Sequence, residues 1–299
     1  MKRLIWMAAG LALVGLGALF LTAPKQIDPA KLAGLEPDLM RGEQVFLAGG
    51  CASCHATPDA TRETRLELAG GQAFVSDFGT FYAPNISSDT LVGIGSWTAF
   101  DLANALLHGS SPSKKHYFPV FPYTAYTHVD LQDVVSLFGY LQTLPAMATP
   151  SREHDVSFPF NIRASLGGWK LLFSNSDWVL PQAETPEIER GRYLVEGLTH
   201  CAECHTPRNF LGGLDKTKWL AGAPNPTGRG TVPNITPVAL NWSDADVLAY
   251  FKTGFKPDFD TVGGLMAEVV ENLAQLPDAD LTAIVAYLRA IPSVESEKK

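Results

Sequence analysis

Cys51-Ala52-Ser53-Cys54-His55 recurs 150 positions later as Cys201-Ala202-Glu203-Cys204-His205. The pattern C-x-x-C-H is the attachment signature of c-type haem. Its spacing has a chemical reason. Two thiols three positions apart on one helical turn can add to the two haem vinyl groups and form thioethers. The next residue then offers an imidazole to the iron, and the porphyrin supplies four further bonds. Cys51, Cys54 and His55 are therefore candidates to hold one haem, and Cys201, Cys204 and His205 a second, two covalently bound haem c groups in all. The rival readings are a zinc ion shared by two C-x-x-C pairs, or a dithiol redox pair. Against them, both motifs end in His, each is followed by a domain's length of sequence, and together they use all four cysteines.

The chain has 299 residues, 46% hydrophobic and 18% charged. That suffices for two compact domains of about 100–150 residues. A formal net charge of −8 without patterning argues against nucleic acid as a partner and fits a surface that can meet a basic protein. At the N-terminus, Lys2 and Arg3 precede an apolar run from Leu4 to Leu21. A short basic region before an apolar core marks an export signal. Leu21 and Pro24 make a poor cleavage region, so a signal anchor helix is favoured over a cleaved signal peptide. Residues 4–21 would then sit in the inner membrane with the remainder on its periplasmic side; if the signal is cleaved, the chain would be in the soluble periplasm.

After this segment (residues 1–23) and a Pro/Gly-containing tether (24–37), the chain repeats itself. Pro84-Asn85-Ile86-Ser87 matches Pro233-Asn234-Ile235-Thr236, and Trp97-Thr98 matches Trp242-Ser243 at a helix start. Each half closes on an amphipathic helix, Asp133–Leu141 before Pro145 and Asp280–Leu288 before Pro292. The expected fold is all-α: two tandem cytochrome c domains, 38–149 and 186–299, joined by an apolar and therefore ordered linker, 150–185. In so short a domain the haem itself would supply much of the core.

An electron-carrying haem usually has a second protein ligand. In the second half Met266, in Gly263-Gly264-Leu265-Met266, is the candidate, since no His follows His205 and no other Met follows Met147. Met as a mere core filler is the bland alternative. In the first half the corresponding loop, Lys115 to Val129, has no methionine. His128 is ranked first as ligand, then an open iron, then His116; His108 is the remaining local donor and Met147 a distant one.

These segments carry a family resemblance. Phe78–Ile86, Gly93–Trp97, Phe118–Thr127, Gly168–Phe173, Arg190–Glu196, His205–Asn209 and Val262–Val270 resemble the membrane-bound dihaem and trihaem cytochrome c subunits of bacterial alcohol, gluconate and related sugar or aldehyde dehydrogenases. The resemblance covers nearly everything from Asp38 to Pro292. It implies a subunit that takes electrons from a catalytic dehydrogenase with a quinone, flavin or molybdenum cofactor and passes them to quinone or another cytochrome. By position it implies Cys51, Cys54 and His55 at haem 1, and Cys201, Cys204, His205 and Met266 at haem 2. The family's first-domain loop usually offers a methionine where Phe121 or Val129 stands here. That departure keeps open a dihaem enzyme of peroxidase or thiosulfate-oxidising type, and a haem-based sensor, beside the electron carrier.

Overall fold

The computed structural model describes residues 2–225, 228 and 230–296. The apolar N-terminal run folds as α1 (Lys2–Leu21); several of its side chains, Leu4 and Ile5 among them, lie outside the described residues. Among the described residues no helix is long and apolar enough to cross a membrane, which overturns the expected signal anchor. α1 carries Lys2 and Arg3 in its first turn and Gly10, Gly15 and Gly17 further along. Just past its last turn, the Thr22 carbonyl accepts a hydrogen bond from His116 Nε2 at 2.9 Å.

The first half runs α2 (Leu39–Ala48), α3 (Cys51–His55), β1 (Ala73–Ser76), β2 (Gly79–Tyr82), α4 (Ala99–His108), α5 (Tyr123–Tyr126) and α6 (Leu131–Leu141). After α7 (Ser165–Phe173), the second half repeats the order. It runs α8 (Pro186–Arg192), a π-turn (Tyr193–Leu198), α9 (Ala202–His205), β3 (Ala223–Pro224), β4 (Thr231–Val232), α10 (Asp244–Thr253), α11 (Leu265–Leu273) and α12 (Asp278–Ala290). The all-α expectation is thus corrected: each half holds a two-stranded antiparallel ribbon, β1–β2 and β3–β4. The first is built from β-prone residues, Phe74, Val75, Thr80, Phe81 and Tyr82, which a Gly/Pro-rich context disguises as loop. The second is only two pairs long.

The sequence explains the helices locally. Asp38 accepts the Met40 and Arg41 N–H groups at the start of α2. Thr98 with Asp101, and Ser243 with Asp246, form capping boxes that start α4 and α10. Gly109 and Gly254 end those helices in the left-handed conformation.

Each half is locked by one crossing of its first and last helices. A Cβ on Gly42 would lie 2.1 Å from the Ser136 carbonyl oxygen, and one on Gly191 would lie 1.9 Å from that of Ala283. Only glycine permits backbones to approach so closely. Beside each crossing an arginine meets an aspartate: Arg41 with Asp133, and Arg190 with Asp280 in a two-pronged pair at 2.8 Å. The core is continuous between the halves, with Val45, Phe46, Val134 and Leu137 joining Leu194, Val195, Ile284 and Tyr287.

The stretch 150–185 packs on both sides. Asp155 pairs with Thr80, and Arg152 stacks over Tyr82 at 3.8 Å. Trp169 Nε1 donates to the Leu211 carbonyl, and Lys216 reaches Asn175. The π-turn points buried Glu196 at this stretch, where it accepts the N–H groups of Val179 and Leu180 as well as the Tyr287 hydroxyl.

Candidate haem sites

Cys51, Cys54 and His55 share α3, whose preceding residue, Gly50, adopts φ 58°. Cys201 precedes α9, which carries Cys204 and His205, and here His200 takes the left-handed place at φ 38°. A glycine pays nothing for that conformation and a histidine is strained by it.

The two histidines are oriented in the same way. His55 Nδ1 donates to the Pro84 carbonyl and His205 Nδ1 to that of Pro233, each at 2.8 Å. In each ring the protonated nitrogen is thereby used, and the Nε2 lone pair is left for a metal. Burial pushes both imidazoles below their ordinary pKa, partly offset by those carbonyls, so both are neutral and able to ligate. The carbonyls are themselves held in place. Asn85 Nδ2 donates to Met147 O and Thr149 O, and Asn234 Nδ2 to Val294 O. Buried Leu68 and Leu220, at φ 53° and 56°, accept at their carbonyls from Ile86 and Ile235 and close the same loop in each half. The repeated Pro-Asn-Ile was visible in the sequence; its task of aiming the histidine was not.

The four cysteines are free and half-buried. Burial raises the Cys51 thiol to about 12 and the Cys54 thiol to about 11, and also raises Cys201 and Cys204. A redox dithiol requires the opposite, a thiolate stabilised near neutrality. Among the described residues no three His, Cys, Asp or Glu side chains converge to hold a metal ion, so the shared-zinc reading has no ligand set. Neutral imidazoles with a free Nε2 and half-buried, protonated thiols fit a covalently attached haem.

The structure also brings the two motifs together, which the sequence did not reveal. The Gly49 carbonyl accepts hydrogen bonds from both His200 Nε2 and the Tyr126 hydroxyl, each at 3.2 Å. The Tyr126 and His200 rings meet edge to face. On the other flank Asn272 of α11, only 5% exposed, donates to Ser53 Oγ inside the first motif at 3.1 Å. Arg65 holds Glu271 at 2.7 Å and Asn272 at 3.2 Å. The Glu268 carboxylate of α11 is close enough to Cys54 to raise its thiol further. Reciprocally, Thr124 of the first half reaches Glu203 of the second motif at 3.4 Å.

The remaining sequence candidates fall as follows. Met266 is half-buried at the start of α11, against the core. His128 stacks on Trp178 with centroids 3.8 Å apart, and lines a cavity with Ala202, Glu203 and Trp219. It therefore shares its surroundings with the second motif, while no residue of the first lines that cavity. His116 is buried and engaged with Thr22. His108 is the last residue of α4.

The relatives of the chain agree with this geometry. No family model matches it. It is 56% identical to a dihaem c-type cytochrome of Cereibacter sphaeroides, over 97% of this chain and 99% of that protein. It is 39% identical to the fructose dehydrogenase cytochrome subunit of Gluconobacter japonicus over 89% of its length, and 30% identical to the gluconate 2-dehydrogenase cytochrome c subunit of Pantoea cypripedii over 86%. It spans little more than half of those two, 55% and 60%. A twice-repeated attachment turn, with each histidine aimed by a proline carbonyl, and a full-length relative at this level of identity place the chain in the family of dihaem c-type cytochromes.

Proposed function

We propose that this protein is a periplasmic electron carrier serving a dehydrogenase. It accepts electrons from a catalytic subunit with a quinone, flavin or molybdenum cofactor and delivers them to quinone or to another cytochrome. In this reading residues 38–149 and 186–299 are two cytochrome c domains. Cys51 and Cys54 would hold the first haem through thioethers, with His55 Nε2 as a ligand to its iron; Cys201, Cys204 and His205 would hold the second, with the Met266 sulfur as a further ligand. Each haem c, when bound, supplies a one-electron ferric–ferrous couple.

The chain's own residues set the conditions for that couple. Pro84 and Pro233 fix the orientation of the two imidazoles and raise their basicity as ligands. A thioether ligand from Met266 raises the potential of its haem relative to a second imidazole. The observation that carries the proposal is the direct bracing of one attachment turn against the other, His200 to Gly49 and Asn272 to Ser53. Such bracing holds two redox centres at a constant separation, which a carrier needs. The similarity to cytochrome subunits of fructose and gluconate dehydrogenases supports a dehydrogenase as donor.

The test is rapid mixing of the oxidised full-length protein with a quinoprotein or flavoprotein sugar dehydrogenase and its substrate. Reduction of both haems at the rate of dehydrogenase turnover is expected. Absence of reduction, together with turnover of peroxide or thiosulfate by the chain alone, would overturn the proposal.

A further inference from the structure

The internal repeat allows the two distal loops to be aligned by hydrogen bonds, independently of side-chain identity. In the first half the cap glycine Gly109 accepts from Tyr117 N, and in the second Gly254 accepts from Val262 N, each at 2.7 Å. Isolated bridges confirm the register, Ser110 with His116 and Phe255 with Thr261. Phe121 and Met266 each lie twelve positions after their cap glycine. Phe121 thus falls at the offset of Met266 from the shared bridge, just ahead of α5 where Met266 opens α11. Its ring packs among aromatic neighbours, with centroids 5.8 Å from both Tyr117 and Tyr126. Val129, at the far end of the same loop, is buried in the core with Val45 and Phe46.

Among the described residues, the other histidines and methionines stand at other places in the fold. Of the seven histidines, His55 and His205 belong to the motifs. His116 is bonded to the Thr22 carbonyl, and His154 Nδ1 accepts from Tyr82 N. His200 is bonded to Gly49, and His128 is stacked on Trp178 beside the second motif. His108, directly before Gly109, matches Thr253 before Gly254, which is not the Met266 position. Met147 is fastened through its carbonyl to Asn85 and Ser87, on the loop that aims His55 from the proximal side. Met40 is exposed on α2, and Met7 lies on α1.

We infer that the haem attached at Cys51 and Cys54 has no protein ligand opposite His55, and that Phe121 gives it an apolar distal face open to a small neutral diatomic ligand of the carbon monoxide or nitric oxide type. The inference rests on the proposed attachment of that haem. The Phe121 ring offers no hydrogen bond, and the neighbouring Tyr126 hydroxyl is already bonded to the Gly49 carbonyl, which favours neutral ligands over charged ones. Binding to ferrous iron requires no electron transfer and no proton.

The experiment uses the full-length dihaem protein, with covalent haem first counted by pyridine haemochrome. The dithionite-reduced protein is titrated with carbon monoxide and followed in the Soret region, and the oxidised protein is examined by electron paramagnetic resonance. One carbon monoxide per two haems and one high-spin ferric signal are expected. Phe121→Met should abolish the carbon monoxide response and convert the high-spin signal to low-spin; Phe121→His is the second variant should the first not fold. Two haems that are both low-spin and inert to carbon monoxide would overturn this inference and leave the electron-carrier reading intact. Fewer than two covalent haems would overturn both.

Discussion

The two halves of this molecule use one backbone plan and diverge at the point where chemistry is decided. Both cross their first and last helices over a glycine, Gly42 and Gly191, and pin the crossing with an Arg–Asp pair. Both aim a histidine with a proline carbonyl. On the opposite side, one presents Met266 and the other Phe121 at the same offset from the cap glycine. The approach to the motif differs as well: Gly50 in one half, a strained His200 in the other. The repeated features are those a haem needs in order to be held. The divergent ones tune it or connect it to its neighbour.

The largest expected effect tests whether the halves are independent in loading haem. Replacing Cys51 and Cys54 by Ala, or Cys201 and Cys204 by Ala, should each remove one covalent haem, read by mass and by pyridine haemochrome. Loss of both haems from either pair of substitutions would show that the halves do not load haem independently.

The helix crossings come next. Gly42→Ala and Gly191→Ala would each push a methyl group into a backbone carbonyl. Each should destabilise its half by about 2–3 kcal/mol in denaturant titration. A neutral outcome at either site would show that the crossing can open without penalty.

Met266→Ala should lower one midpoint potential by on the order of 0.1 V, inside the roughly 0.8 V range that axial ligation commands. The other wave should stay in place. Movement of both waves alike would break the claim that the distal difference is local.

His128 makes a smaller, pH-dependent contribution. Burial lowers its pKa from 6.5 to about 4, with Lys216 and Arg192 adding to the effect. The unfolded chain therefore takes up this proton first as pH falls. The stability is fully present above pH 6.5 and is lost as pH falls through about 4, amounting to at most about 3 kcal/mol before solvent screening reduces it. His128→Phe, which keeps a ring on Trp178, should flatten that part of the stability–pH curve; an unchanged curve would contradict the assignment. Asn272→Ala should cost about 1–2 kcal/mol, because Ser53 and Arg65 lose a buried partner.

How much of this was legible in the sequence depended on how local the signal was. The C-x-x-C-H turns, the capping boxes at Thr98 and Ser243, and the repeat itself are short-range patterns and could be read directly. The β-ribbons were not read, because Ala73–Ser76 and Gly79–Tyr82 are brief and lie among glycines and prolines. The apolar run at the N-terminus was read as a membrane anchor from its length and from Lys2 and Arg3, whereas among the described residues no helix meets the length and apolarity of a span. His128 was ranked first as a ligand because it lies in the right loop. Its stacking on Trp178 depends on a residue 50 positions away, which no local pattern encodes. The braces between motifs, Gly49–His200 and Ser53–Asn272, are longer-range still.

The central claim, two covalent haems of which only the second has sulfur ligation, is tested most directly by near-infrared magnetic circular dichroism of the oxidised full-length protein, calibrated by its haem count. The account expects two haems per chain and a methionine–iron charge-transfer band with the intensity of one haem, which disappears in Met266→Ala. A band with the intensity of two haems, or a chain without covalent haem, would contradict it.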